Sequence, residues 1–134
     1  MNLKDKIRNI PYFPKKGIIF FDITTLIKDG GALKYSVDAM AEQYKGKKID
    51  AIMGAESRGF IFGAAMAYKL GVGFIPVRKP GKLPYKTCQV SYDLEYGSSS
   101  LEMHVDAINE GDNILVVDYL IATGGTAKAM AQII

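Results

Sequence analysis

The sequence contains no tryptophan, a single cysteine and a single histidine. With Cys88 alone, no disulfide can form within the chain, which favours a reducing compartment and predicts a cytoplasmic location. One cysteine and one histidine also cannot form a zinc cluster, and we interpret His104 as structural rather than catalytic. No apolar run reaches the length of a membrane-spanning helix, and the start MNLKDKIRNIPYF lacks the apolar core of a signal peptide. We therefore expect no membrane partner.

Strong charge of one sign is lacking as well. The formal net charge is +3, which is too small to indicate nucleic-acid binding by itself and fits better a local basic patch for a small anion. The tyrosines are scattered and form no recognisable platform for stacking bases, so we expect no nucleic-acid partner. The length of 134 residues and the hydrophobic fraction of 49% predict one globular domain over 1–134 with its own core.

The order of the predicted elements favours an α/β fold. Segments 49–55 and 71–77 have the pattern of short apolar strands, and 58–70 between them has that of a helix. This order is typical of parallel strands joined by a right-handed crossover. Ile61, Ala64, Ala65 and Tyr68 share one face of the predicted helix. The remaining predicted elements are a short polar helix (2–9), a strand (17–24), an amphipathic helix (31–45), a polar lid containing a hairpin (about 78–100), a third apolar strand (ILVVD) and a helix that begins at TGGT.

The stretch ILVVDYLIATGGTAKAM places a glycine turn between the third strand and the last helix. Amides and the dipole at a helix N-terminus attract an anion, and glycines let the backbone approach it closely, so the turn is a candidate phosphate site. It matches neither the Walker loop nor GxGxxG. A plain glycine turn with a threonine cap is an equally good interpretation of this local pattern.

ILVVDYLIATGGTA resembles the phosphoribosyl pyrophosphate motif of the type I phosphoribosyltransferases. That resemblance implies a doubly wound, Rossmann-like parallel sheet with helices on both faces and a flexible hairpin lid. Four further segments are similar, in the same order, to one branch of the family, the adenine phosphoribosyltransferases: FPKKGIIFFDIT (13–24), ESRGFIFGAAMA (56–67), GVGFIPVRKPGKLP (71–84) and SYDLEYGSSSLEMHVDAI (91–108).

The resemblance also implies roles for individual residues. Asp118 would accept hydrogen bonds from the ribose hydroxyls, and Glu95 and Tyr96 of the lid would close over the reacting centre. Glu95 would also handle the purine proton or support the charged transition state. Adenine would be recognised at Ile19, Phe20 and Phe21, partly through the backbone. The 5′-phosphate would be held by Ala122, Thr123, Gly124, Gly125 and Thr126, and the pyrophosphate by Arg58, Arg78, Lys79 and Lys82, with Arg58 also near the base.

The implied reaction joins adenine to phosphoribosyl pyrophosphate and yields AMP and pyrophosphate. Mg²⁺ would neutralise the leaving pyrophosphate and be held through it, with no direct protein ligand. An enzyme of the same family that uses another purine is a weaker alternative.

The chain departs from the family pattern at several positions. Tyr119 follows Asp118 where the family has a second acid, and Phe21 stands where the family commonly has a polar or basic residue. The chain is also shorter than other members of the family, so we expect one or more C-terminal strands to be missing. An exposed sheet edge favours self-association, and we expect a homodimer. The alternative function is an engineered or truncated module of the same fold that binds phosphate or nucleotide, or self-associates, without catalysis.

Overall fold

The computed structural model describes residues 2–12, 16, 19–93 and 98–117, with 19–20, 92–93 and 98–99 described by their backbone alone. By its internal contacts the chain divides into two compact units, Met1–Gln43 and Tyr44–Ile134. No helix among the described residues combines the length and the apolar character needed to cross a membrane.

The first unit opens with an antiparallel pair of strands, in which Arg8 lies opposite Asp22 and Pro11 opposite Ile19. The strand predicted over 17–24 is confirmed over 19–22, whereas Thr24 already belongs to a helix and residues 17–18 lie outside the described part of the chain. The helix predicted over 2–9 is wrong beyond residue 6, because the chain from Arg8 onward pairs with a later strand, and local polarity does not reveal that pairing. The elements of this unit are a 3₁₀ turn (Leu3–Lys6), strands β1 (Arg8–Pro11) and β2 (Ile19–Asp22), and helices α1 (Thr24–Lys28) and α2 (Gly30–Glu42).

Asp22, at the end of β2, links the strand pair to the start of α1. Its Oδ1 accepts hydrogen bonds from the backbone N–H of Thr24 at 2.9 Å and from the Thr24 hydroxyl at 2.7 Å. Its Oδ2 accepts two from the Arg8 guanidinium, at 3.0 and 2.6 Å. The Thr24 amide, the Thr24 hydroxyl and then Arg8 lower the pKa of the Asp22 carboxyl to about 2. The carboxylate form of Asp22 thus holds three segments of the unit together.

Asp29 caps the start of α2 by accepting a hydrogen bond from the Ala32 amide at 3.0 Å, and it pairs with Lys6 at 2.9 Å. The pairing with Lys6, followed by the Ala32 amide, lowers the pKa of Asp29. The helix predicted over 31–45 is confirmed with slightly different bounds, since an N-cap residue fixes its first turn. Its buried positions follow helical spacing: Ala32, Ser36, Val37 and Ala41.

The second unit contains a parallel sheet, which confirms the α/β class and the crossover connection between parallel strands, while its right-handedness stays a prediction. The described strand order is β4-β3-β7, with Ala51 of β3 opposite both Gly73 and Ile114. Both pairings are parallel, so the carboxyl ends of the three strands lie at the same edge. The elements are β3 (Ala51–Ala55), α3 (Arg58–Leu70), β4 (Gly73–Val77), β5 (Thr87–Asp93), β6 (Ser98–His104) and β7 (Ile114–Val117).

Helix α3 spans the predicted residues but does not pack through the apolar face identified from the sequence. Ile61 is 39% exposed and Tyr68 is 91% exposed. The buried positions form a different stripe, in which two glycines replace side chains and allow the helix to approach the sheet closely: Gly59, Phe62, Gly63, Met66 and Ala67. Periodicity counts apolar side chains and therefore overlooks a stripe that includes glycine.

The hairpin predicted within the lid segment (about 78–100) is present, and its second strand continues past that segment to His104. β5 pairs antiparallel with β6 from Thr87 opposite His104 to Asp93 opposite Ser98. The base of the hairpin belongs to the core, because Leu101 and Met103 of β6 pack with side chains of β3 and β4. That core cluster consists of Met53, Ala55, Ile75, Val77, Leu101 and Met103.

Candidate active site

The carboxyl ends of β3 and β4 bring Glu56 and Arg78 together. Ala55 and Val77 are register partners, and each of the two residues follows directly after its strand. The Glu56 amide donates to the Val77 carbonyl oxygen at 3.0 Å, so the ladder continues one step past the strand. In open α/β sheets, this edge is where ligands bind.

Three of the four residues predicted to bind pyrophosphate converge on Glu56. Its Oε2 accepts from Arg78 Nη2 at 3.3 Å and from Lys82 Nζ at 2.9 Å. Its Oε1 accepts from the backbone N–H of Lys79 at 2.8 Å. The basic loop, which we define as residues 78–82, is therefore folded around one carboxylate. Arg78 and Lys82 reach Glu56 through their charged side chains and Lys79 through its backbone, and the binding of pyrophosphate by these residues stays a prediction.

Glu56 is a site residue that the sequence analysis did not identify. It lies in the segment ESRGF used for the resemblance, but it received no role there. The available signal was an acidic residue directly after a buried strand, at the edge where a basic loop was expected. Identifying its partners required the β3–β4 register, because 22 positions separate it from Arg78.

The environment of Glu56 keeps it ionised at neutral pH. Burial by itself would raise the pKa of the carboxyl, whose side chain is only 13% exposed. Hydrogen bonds from Lys82, from the Lys79 amide and from Arg78 outweigh burial and lower the pKa to about 2. The cluster of Arg78, Lys82 and Glu56 therefore carries a net positive charge.

A second acid, Glu102 of β6, holds the backbone of the basic loop. The Arg78 amide donates to the Glu102 carbonyl oxygen at 3.0 Å, and the Glu102 amide donates back to the Arg78 carbonyl oxygen at 2.7 Å. The Glu102 side chain accepts from the Gly81 amide at 3.0 Å and from the Thr87 hydroxyl at 3.1 Å. The loop is thus anchored on one side by Glu102 and on the other by Glu56.

The Arg78 guanidinium is only partly satisfied. Its carbon lies 6.0 Å from the centre of the Phe60 ring, within reach of a cation–π interaction. Its Nε is buried and finds no hydrogen-bond partner among the described residues. A buried donor left unpaired is costly, so this guanidinium has a hydrogen bond to gain from a change of partners.

Arg58, the fourth predicted pyrophosphate residue, is the first residue of α3 and is exposed. It follows Glu56 by two positions, and the Glu56–Ser57 peptide bond between them is cis. Arg58 and Glu56 thus both lie at the short connection between β3 and α3.

The segment predicted to recognise adenine lies in the first unit. Ile19 and Phe20 belong to β2, and the Phe21 side chain is 58% exposed. An exposed ring next to strand backbone is compatible with the predicted role, which stays a prediction. The other predicted site residues lie outside the described part of the chain: Glu95, Tyr96, Asp118, Ala122, Thr123, Gly124, Gly125 and Thr126.

Comparisons with known proteins agree on one family. The phosphoribosyl transferase domain family matches residues 24–134. Adenine phosphoribosyltransferase of Brachyspira hyodysenteriae is 62% identical over the whole chain, which covers 79% of that protein. Two crystal structures of adenine phosphoribosyltransferases are also similar over 98% of the chain. The Thermoanaerobacter pseudethanolicus structure has a TM-score of 0.93 with 55% identity and is covered to 76%. The Saccharomyces cerevisiae structure has a TM-score of 0.92 with 43% identity, and this chain covers 77% of it. That structure is a complex with adenine and an imino-altritol bisphosphate.

Proposed function

This chain belongs to the type I phosphoribosyltransferases, in the adenine phosphoribosyltransferase branch, and we propose from that membership that it works in purine salvage. It transfers the phosphoribosyl group of phosphoribosyl pyrophosphate to adenine and releases AMP and pyrophosphate. Among the described residues, the observation that carries this proposal is the convergence of Arg78, Lys79 and Lys82 at the carboxyl edge of a parallel sheet. Identities of 62% and 63% to relatives with this name favour the enzyme over a non-catalytic module.

The basic loop binds the pyrophosphate group. Arginine grips phosphate oxygens through a planar fork, and lysine acts as a mobile point charge. The side chains of Arg78 and Lys82 are 34% and 46% exposed, which leaves them accessible to a ligand. Arg58 adds a fourth cation from the start of α3. These groups stabilise the negative charge that develops on pyrophosphate as its bond to the sugar breaks.

Mg²⁺ enters with phosphoribosyl pyrophosphate as part of the substrate. The described residues contain no group of three His, Cys, Asp or Glu side chains that could hold a metal ion. Glu56, the carboxylate at the basic loop, is already engaged by cations. Phosphate oxygens and water are suitable ligands for this hard cation, so the substrate itself carries it.

The remaining roles rest on the resemblance. Residues 122–126 hold the 5′-phosphate, Asp118 holds the ribose hydroxyls, and Glu95 and Tyr96 close over the reacting centre. Backbone groups around Ile19 and Phe21 recognise adenine, with Phe20 packing nearby. We include the whole chain, 1–134, in one catalytic domain and place the enzyme in the cytoplasm.

We also propose that the enzyme works as a homodimer. The support within the described residues is the outward face of α3, where Tyr68 is 91% exposed and Ile61 is 39% exposed. Ala64, between them at helical spacing, is exposed as well. A second copy of this chain would bury an apolar surface that water otherwise covers.

The decisive experiment measures AMP formed from adenine, phosphoribosyl pyrophosphate and Mg²⁺. Lys82→Met should raise the KM for phosphoribosyl pyrophosphate roughly tenfold or more, since a hydrogen bond to a charged group contributes about 1.5–3 kcal/mol. The KM for adenine should change little. Lys48→Met is the matched control, because Lys48 is exposed and precedes β3, at the opposite end of that strand from Glu56.

One outcome would count against the enzyme: the absence of AMP from the unmodified chain and also from Tyr119→Asp, which restores the acidic pair typical of the family. An equal rise of KM in Lys48→Met and Lys82→Met would count against the basic loop as the pyrophosphate site. AMP binding in calorimetry without turnover would support the non-catalytic alternative, and faster turnover with another purine would change the substrate.

A further inference from the structure

We propose that Glu56 is an internal counter-ion which the pyrophosphate group displaces from Arg78 and Lys82, so that Glu56 sets the affinity for the substrate. The inference rests on the proposed function, because it takes the basic loop as the pyrophosphate site. It assigns a role in affinity to a residue that lies beside that site.

The two carboxylate oxygens of Glu56 accept hydrogen bonds from different partners. Oε2 serves both cationic side chains, Arg78 at 3.3 Å and Lys82 at 2.9 Å. Oε1 holds the backbone of the loop through the Lys79 amide at 2.8 Å. The cations are therefore held through one oxygen and the loop backbone through the other, and the cations can leave without releasing the backbone.

The exposures of the three side chains favour an exchange of partners. Glu56 is 13% exposed, whereas Arg78 and Lys82 are 34% and 46% exposed. A ligand from solvent reaches the cations more readily than it reaches the carboxylate. Pyrophosphate offers several charged oxygens against the single Oε2. The Nε of Arg78, which has no partner within the described part of the chain, gains from any rearrangement that gives it one.

Protonation does not relieve this competition near neutral pH. The pKa of Glu56 lies at about 2, so the carboxylate remains charged while the enzyme meets its substrate. Every binding event must therefore break two ion pairs. Their combined free energy is subtracted from the free energy that pyrophosphate gains at the same two cations.

Loss of the negative charge at position 56 should leave the loop in place. Glu102 holds the backbone independently through the Arg78 pairing and the Gly81 amide. A glutamine at position 56 also keeps an oxygen that can accept from the Lys79 amide. The main consequence of Glu56→Gln is then a pair of cations without a competing anion, which should bind pyrophosphate more tightly.

The test is calorimetric titration of the full chain with pyrophosphate and Mg²⁺. Two partly exposed ion pairs are removed together, and each is weak, so Glu56→Gln should lower the Kd by roughly two- to thirtyfold. The KM for phosphoribosyl pyrophosphate should fall in parallel, while the KM for adenine stays unchanged. Glu110→Gln, the same chemical change at an exposed turn, should leave both values unchanged. An unchanged or higher Kd in Glu56→Gln would overturn the inference, since a merely structural carboxylate predicts weaker binding.

A second measurement uses the unmodified protein and does not depend on the variant folding. In a crystal structure with Mg²⁺ and pyrophosphate, Lys82 Nζ should move from 2.9 Å to beyond about 4 Å from Glu56 Oε2. A Lys82 that remains paired with Glu56 while pyrophosphate is bound would overturn the inference. Failure of the unmodified protein to bind pyrophosphate or form AMP would overturn the proposed function as well. AMP formation without tighter binding in Glu56→Gln would overturn the inference alone.

Discussion

The close approach of β3 to α3 makes Gly54→Ala a demanding test of the fold around the site. An alanine Cβ at position 54 would lie 2.5 Å from the carbonyl oxygen of Gly59 and 3.0 Å from its carbonyl carbon. It would also lie 3.2 Å from Cε1 of Phe74. The first two atoms are backbone in the opening turn of α3, so a side-chain rotation cannot relieve the overlap. The helix or the strand must shift.

The size of the effect follows from what has to move. Overpacking a core commonly costs about 1–3 kcal/mol, and a backbone obstacle places this variant at about 3 kcal/mol. For a chain of this length, 1 kcal/mol lowers the unfolding midpoint by roughly 3–6 °C, so we expect a fall of about 10 °C or more. Turnover should also fall, because Glu56 and Arg58 lie at the displaced junction.

Thermal unfolding followed by circular dichroism measures the shift, with Gly73→Ala as the matched control. Gly73 is a strand glycine in the same sheet, and a Cβ there would meet no atom within 4 Å. Alanine at a compatible glycine position stabilises by about 0.4–1 kcal/mol through the unfolded chain, so the control should be neutral or slightly more stable. A midpoint for Gly54→Ala within about 1 °C of the control would refute the reasoning, because it would mean that the junction yields without cost.

Two further predictions concern acid and assembly. Asp22 and Glu56 each have a pKa lowered to about 2, and that of Asp29 is lowered too. For Asp22 and Glu56 the resulting contribution to stability is complete above the unfolded-state pKa of about 4 and is lost as the pH falls through the folded-state pKa of about 2. The contribution of Asp29 is lost in the same direction, below its unfolded-state pKa. Asp22→Asn should flatten this acid limb in unfolding scans from pH 6 to about pH 2, and an unchanged slope would contradict the assignment. Tyr68→Lys should shift a dimer toward monomer in analytical ultracentrifugation. A dimer of unchanged dissociation constant would mean that α3 is not the interface.

Local pattern located the elements whose signals are complete within a few residues. The helix over 58–70 was predicted with its observed bounds, because apolar spacing and the flanking strands bracket it. β1 was missed, because Arg8–Pro11 forms a strand only by pairing with β2, and the sequence of that stretch does not indicate the pairing. The packed face of α3 was also missed, because Gly59 and Gly63 have no side chain and are buried where the helix approaches the sheet closely.

The candidate site shows the same division between local and non-local information. The motif resemblance identified Arg78, Lys79 and Lys82 as a group, since they share one short loop. It could not identify their carboxylate, because Glu56 meets them only through the parallel register of β3 and β4. Whether a cation near a ligand site is free or already paired depends on such contacts, so affinity is harder to predict from sequence than the identity of the binding residues.

Steric and ionic constraints meet at the turn between β3 and α3. The glycines at 54 and 59 allow the helix to begin two residues after Glu56, and the Glu56 amide extends the ladder to Val77. A bulkier residue at position 54 therefore affects the site by displacing the backbone, whereas Glu56→Gln affects it by removing a negative charge. The two changes should have opposite effects on pyrophosphate affinity: displacement of the turn weakens binding, and removal of the counter-ion strengthens it. Weaker pyrophosphate binding in both variants would mean that the loop moves with the turn as one rigid piece and that Glu56 serves only to hold it.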